Sequence, residues 1–169
     1  RSQPKKYERS IGTYDVRTSG LGYLFATQDS RTSETFWRLT ELMGQLKVKL
    51  YCCSSDMIED VSTGKIAIAY NVLGSYAAAR DDLAEKIIII EPQDYATVML
   101  RTALILKDSK AQRAAGLFMD HLLSEAWNEY PINQGQNLRR IPLGPGLLVF
   151  LDHLKRQQFL KEWSSAIFQ

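Results

Sequence analysis

Apolar and polar positions fall into short blocks along this chain, and the blocks predict strands and helices in turn. IGTYDV (residues 11–16) reads as a strand followed by a Thr-Ser-Gly turn. LGYLFATQDS then predicts a helix with Thr18 or Ser19 as its N-cap. A second helix, ETFWRLTELMGQL, opens at Thr32 or Ser33 and brings Phe36, Leu39, Met43 and Leu46 round at helical spacing, with Trp37 beside them. KVKLYCC (47–53) alternates, with Val48, Leu50 and Cys52 on one side and Lys47, Lys49 and Tyr51 on the other. Ser54-Ser55-Asp56 caps a short helix that stops at Gly64. The strand IAIAY (66–70), the helix SYAAARDDLAEK (75–86) and the strand IIIIEP (87–92) follow. Near-continuous apolar strands suit a sheet covered on both faces, so the expected class is α/β with a mostly parallel sheet flanked by helices.

The organisation changes after Pro92, and the boundary is drawn near residues 91–96. TVMLRTALILK (97–107) predicts a long strand, and Ser109 caps an amphipathic helix over 110–129. The segment 131–146 is a polar link punctuated by Gly and Pro, and LLVFLDHLKRQQFLKEWSSAIF is expected to be helical with a bend near Gln157. Residues 1–91 and 92–169 are thus taken as two parts.

Composition narrows the function classes. Of 169 residues, 45% are hydrophobic and 24% charged, as in an ordinary folded chain. A formal charge of +2, spread evenly, gives no nucleic-acid footprint. No apolar run approaches the roughly 18 residues that would suggest a membrane span. The opening RSQPKKYERS lacks the apolar core of a signal peptide, and a chain that starts at arginine is expected to be a processed form or an excised piece. The two cysteines, Cys52 and Cys53, are adjacent. Neighbouring strand residues point to opposite faces, so structural thiols in a half-buried strand are expected rather than a mutual disulfide. His121 and His153 each stand alone in a helical pattern, which gives no metal set and no Ser-His-Asp convergence. Asp56, Glu59 and Asp60, and again Asp81 and Asp82, read as solvated helix faces. There is no P-loop, and Gly20-Leu21-Gly22 lacks the third glycine of a dinucleotide fingerprint. The expectation is a protein without catalysis, cofactor or metal.

Two stretches suit ligand binding, because ligands of open α/β sheets collect beyond the carboxyl ends of strands, near helix N-termini. Arg17-Thr18-Ser19-Gly20 combines a cation, two hydroxyls and a glycine at a helix start, which suits an anion; a plain N-cap would explain Thr18 or Ser19 alone. Tyr70 and Asn71 emerge from IAIAY, and Gly74-Ser75 starts the next helix. There, hydrogen-bonding side chains for a ligand compete with a capped turn in which Tyr70 merely packs. If the strands are parallel, both stretches lie on one edge of the sheet.

STGKIAIAYNVLGSYAAAR, the apolar strand with Pro92, and ALILKDSKAQRAAGLFMDHLLSEAWNE together resemble the periplasmic solute-binding proteins of ABC importers. The branch they are most similar to contains the ferric-iron-binding proteins, which have the type II periplasmic-binding-protein fold. The resemblance covers nearly the whole chain. It implies two α/β lobes around a ligand cleft, with residues 1–91 as the second, ligand-binding lobe and 92–169 as the returning part of an incomplete first lobe. Helix faces carrying Leu117, Phe118 and Leu122 would then be exposed, and would repack within the chain or self-associate. In ferric-binding relatives, consecutive tyrosines follow the strand that IAIAY resembles. Here Asn71-Val72-Leu73-Gly74 stands in that place, so iron ligation is not implied. The implied role is capture of a small, anionic organic solute by Arg17, Thr18, Ser19, Gly20, Tyr70, Asn71 and Ser75, for delivery to an importer permease. The implied location is periplasmic, or extracellular and membrane-associated. The effector-sensing domain of a LysR-type transcription regulator, or a sensory ligand-binding module, is the alternative.

Overall fold

The computed structural model describes residues 4–90, 103–128 and 151–169. The chain divides into two compact units, Arg1–Thr97 with Leu148–Gln169, and Val98–Leu147.

The first unit opens with a single helical turn, α1 (Pro4–Tyr7), and then builds a mixed α/β layer around three short parallel strands. These are β1 (Ile11–Tyr14), β2 (Lys49–Tyr51) and β3 (Ile68–Ala69), in the order β2-β1-β3. Gly12, Thr13 and Tyr14 of β1 stand opposite Lys49, Leu50 and Tyr51, while Ile11 and Gly12 also pair with Ile68 and Ala69. The mixed, parallel, helix-flanked architecture is the expected class, and the strands are shorter than their apolar runs. β3 uses only the middle of IAIAY, because its ladder extends through single bonds, Ala67 N–H to the Ser10 carbonyl (2.7 Å) and Tyr70 N–H to that of Gly12 (2.8 Å).

Parallel pairing requires crossovers, and helices supply them. α2 (Gly20–Thr32) and α3 (Phe36–Gln45) carry the chain from β1 to β2, and α4 (Ser54–Ser62) carries it to β3. Ser19 caps α2 by accepting from the Gly22 N–H at 3.1 Å, one of the two residues expected there. Gly22 lets α2 press onto β1: a Cβ at that position would lie 2.3 Å from the Tyr14 Cβ. Helix α4 stops as expected before Gly64, whose φ of 74° is the left-handed value that glycine adopts without cost. Its start differs, since Cys53 rather than a serine holds the N-cap position.

The alanine-rich pattern over 75–86 is interrupted. α5 (Gly74–Ala78) ends early, and a 3₁₀ turn at Asp81–Leu83 restarts it. Asp81 and Asp82 favour such a restart, because aspartate prefers the first turn of a helix to its interior. The expected buried strand at 87–90 is absent from the sheet of the described residues: Ile88 and Ile90 are 88% and 85% exposed. Apolarity alone does not make a strand; a ladder partner is needed.

α8 (His153–Ile167) completes this unit. Asp152 caps it by accepting from Lys155 N–H, and the helix runs through Gln157. It packs on α3 and belongs with residues 4–90 rather than with 103–128, a different grouping from the division at 91/92. Phe159, Trp163 and Ile167 join Val16, Ala26, Phe36 and Met43 in the core. Phe159 meets Tyr23 edge-on at 5.6 Å between ring centroids, and Trp37 at 5.7 Å.

In the second unit, residues 103–107 form no ladder among the described residues, and Leu104 and Leu106 are largely exposed. The first five residues of the expected strand, 97–101, and Thr102 lie outside the described residues. α6 (Gln112–Leu122) and α7 (Glu125–Asn128) divide the single helix expected after Ser109. Residues 129–150, which include the polar link, also lie outside the described residues.

Candidate functional site

The order β2-β1-β3 makes the crevice between β1 and β3 a topological switch point: the chain leaves β1 to one side and later returns to the other. Ligands of doubly wound sheets bind beyond the carboxyl ends of strands at such points. Arg17, Thr18, Ser19 and Gly20 follow β1, and Tyr70 and Asn71 follow β3. Because the two strands are parallel neighbours, both groups leave the sheet at the same edge.

The first group is organised by Asp15, a residue the sequence pattern did not single out. Arg17 forks onto its carboxylate, Nε to Oδ1 at 2.8 Å and a terminal nitrogen to Oδ2 at 2.6 Å, and the Arg17 backbone N–H also donates to Oδ1 at 3.0 Å. The guanidinium hydrogen bond, opposed by partial burial, holds the Asp15 carboxyl below its usual range; the same bond raises Arg17. Arg17 also lies over the Phe168 ring at 4.5 Å from its centroid. The cation is therefore oriented and locally neutralised, while its guanidinium has five N–H donors in all, more than Asp15 accepts. Thr18 donates to the Asp15 carbonyl at 3.5 Å, and Ser19 serves the cap of α2 and is buried.

The second group is tied to α2. Asp29, 3% exposed, accepts from the Tyr70 hydroxyl at 2.9 Å and from the Asn71 amide at 2.6 Å, both at Oδ2. Asn71 adopts a left-handed backbone (φ 66°), which asparagine tolerates better than most residues and which turns the chain out of β3. Both residues thus have a structural task. The sequence did carry a sign of Asp29: Gly22, Phe25, Ala26 and Asp29 recur at helical spacing on the buried stripe of α2, so an acid stands where an apolar residue is expected. Ser75 lies exposed in the first turn of α5, a helix of five residues.

Beneath this edge the interior is full. The cavity lined by Thr13, Tyr14, Thr40, Tyr70, Asn71 and Trp163 measures about 10 Å³, no more than a single water needs. A solute would have to sit outside the strand ends. A wider, open recess of about 640 Å³ lies between α3 and α8, lined by Trp37, Glu41, Gln158, Lys161 and Glu162 among others, and includes none of the expected binding residues.

Two further expectations are corrected. Cys52 and Cys53 lie just past the end of β2, exposed, and are joined in a vicinal disulfide instead of being buried thiols. Once out of the strand, their side chains are no longer held to opposite faces. Asp60 is not on a solvated face: it is 8% exposed and accepts from Lys49, from the Tyr51 hydroxyl at 2.7 Å and from Lys65 at 3.0 Å. The hydrogen bond from Lys49, followed by those from Tyr51 and Lys65, holds its carboxyl well below the usual range. The neighbouring Tyr14 hydroxyl, shared with that of Ser54, is raised chiefly by burial. His121 and His153 are both exposed. No helix among the described residues is long and apolar enough to cross a membrane.

No family model matches the chain, and no curated protein does. Among solved structures it is similar to the substrate binding protein of the ABC transporter from Agrobacterium tumefaciens, with a TM-score of 0.82 and 28% sequence identity. The match covers 98% of this chain and 56% of that one, so the chain spans little more than half the length of that protein and shares its fold over the matched part.

Proposed function

We propose that this chain is part of the substrate-binding component of an ABC importer, capturing a small organic anion without chemistry of its own. The observation that carries the proposal is the shared fold with an ABC-transporter substrate-binding protein over 98% of the chain. The β1/β3 edge supports the choice of site, since Arg17, Thr18, Ser19 and Gly20 and the pair Tyr70 and Asn71 leave the sheet there, with Ser75 close behind in sequence. In this reading residues 1–91 supply the second lobe of a two-lobed receptor, with α8 packed onto it. Ligand binding would close the lobes and present the closed form to a permease, in a periplasmic or extracellular, membrane-associated setting.

Arg17 is the anion contact, and Asp15 is its positioning residue. A ligand that binds only the folded state raises stability by an amount set by its concentration over its dissociation constant. Thermal shift with small carboxylates, phosphonates and sugar phosphates, alongside ferric salts, is the test. Stabilisation by one organic anion that is lost in Arg17→Ala supports the proposal. A shift with ferric ion alone, or an anion effect indifferent to Arg17→Ala, overturns it.

A further inference from the structure

We propose that the vicinal pair Cys52–Cys53, together with Asp56, is a redox-controlled binding site for a thiophilic d¹⁰ cation of the zinc and cadmium kind. All three side chains are exposed, and their ligand atoms, the two sulfurs and a carboxylate oxygen, lie within 4.8 Å of one another. The Cys52 sulfur is 3.9 Å from Asp56 Oδ2. The arrangement follows from local structure. Tyr51 ends β2, its carbonyl accepting from Asp15 N–H at 2.8 Å, and the two cysteines turn out into solvent. Cys53 takes the N-cap position of α4, which places Asp56 in the first turn of that helix, facing back toward the sulfurs. Histidine is not needed to complete the set, because thiolates with a carboxylate oxygen suit a zinc-like ion and leave a coordination position open.

The disulfide closes the site. A dithiol reductant supplies two electrons and two protons, the S–S bond breaks, two thiols form, and the reductant leaves as its own disulfide. Binding of a divalent cation then releases both thiol protons as two metal–sulfur bonds form, with Asp56 as the third ligand. A small-molecule disulfide reverses the sequence: it accepts the two electrons and, with two protons from water, leaves as two thiols, while the S–S bond re-forms and the cation is released. The site therefore responds to redox conditions and shares no residue with the Arg17 anion site.

These are the only two cysteines of the chain, so any thiolate-to-metal absorption reports on this pair alone. The full chain, reduced with dithiothreitol and freed of it without air, is titrated with Cd²⁺ while the ultraviolet charge-transfer band is followed, and Zn²⁺ is then used as competitor. The expected result is a saturable band at one metal per chain, absent from the oxidised protein and from Cys53→Ser. Asp56→Asn should weaken binding by at least the roughly tenfold that loss of an outer-shell partner costs. Because Asp56 is exposed, that variant should keep its fold, checked by an unchanged melting temperature without metal. No band in the reduced protein, one metal shared between two chains, or equal affinity in Asp56→Asn overturns the proposal.

Discussion

A buried carboxyl group that serves two neutral donors, as Asp29 serves Tyr70 and Asn71, is costly to remove. Asp29→Ala would remove an acceptor shared by a part-buried hydroxyl and a part-buried amide, a loss of about 1–3 kcal/mol. For a chain of this size each kcal/mol corresponds to roughly 2–4 °C of melting temperature. An unchanged melting curve would mean that the contacts beside Asn71 contribute nothing to the fold. Asp60 gives a prediction in pH. Its folded-state carboxyl is held below the unfolded value, so its contribution is present above the unfolded value of about 3.9 and is lost as pH falls below it. The stability gap between the wild type and Asp60→Asn should be full near neutrality and close as the solution is taken down from about pH 4. A gap that is independent of pH would separate Asp60 from acid denaturation.

Between elements, the junction of α3 with α8 sets local propensity against packing. Gly44 lies inside α3, where alanine is intrinsically better by about 1 kcal/mol. A Cβ there would meet the Ala166 carbonyl oxygen at 2.4 Å and that of Ile167 at 2.8 Å. Both are backbone atoms and cannot rotate away, so overpacking of about 1–3 kcal/mol should win. Gly44→Ala is expected to destabilise the protein, by up to about 2 kcal/mol in urea unfolding once the propensity gain is subtracted. Stabilisation would show that α8 does not seat as described. The same junction explains why Phe159 and Trp163, far along the chain from α3, are 4% and 2% exposed. The apolar stripe of α3 was legible from the spacing of Phe36 and Met43, whereas the partner that covers it was not, because periodicity encodes a face and not what lies against it.

At the scale of the whole molecule, exposed apolar side chains pose the question of association. Leu117 and Phe118 are 64% and 58% exposed, as expected for them, while Leu122 is half-buried. Sedimentation velocity across a concentration series tests self-association through α6: a coefficient that rises for the wild type and stays flat for Leu117→Glu supports it, and a flat wild-type series refutes it. The α/β class, a helix start capped at Thr18 or Ser19 and the stop at Gly64 were legible in the sequence alone, because the local patterns that signal them span only a few residues each. The possibility of two candidate stretches on one sheet edge was legible too, conditional on parallel strands. Only the tertiary structure decided that condition, the strand order that makes the edge a switch point, and the full interior beneath it. It also decided which acids are buried, which isoleucines go without a ladder, and that adjacent cysteines meet beyond the strand end. Those outcomes depend on partners distant in sequence or on where a strand stops, and a local pattern of apolar and polar residues specifies neither.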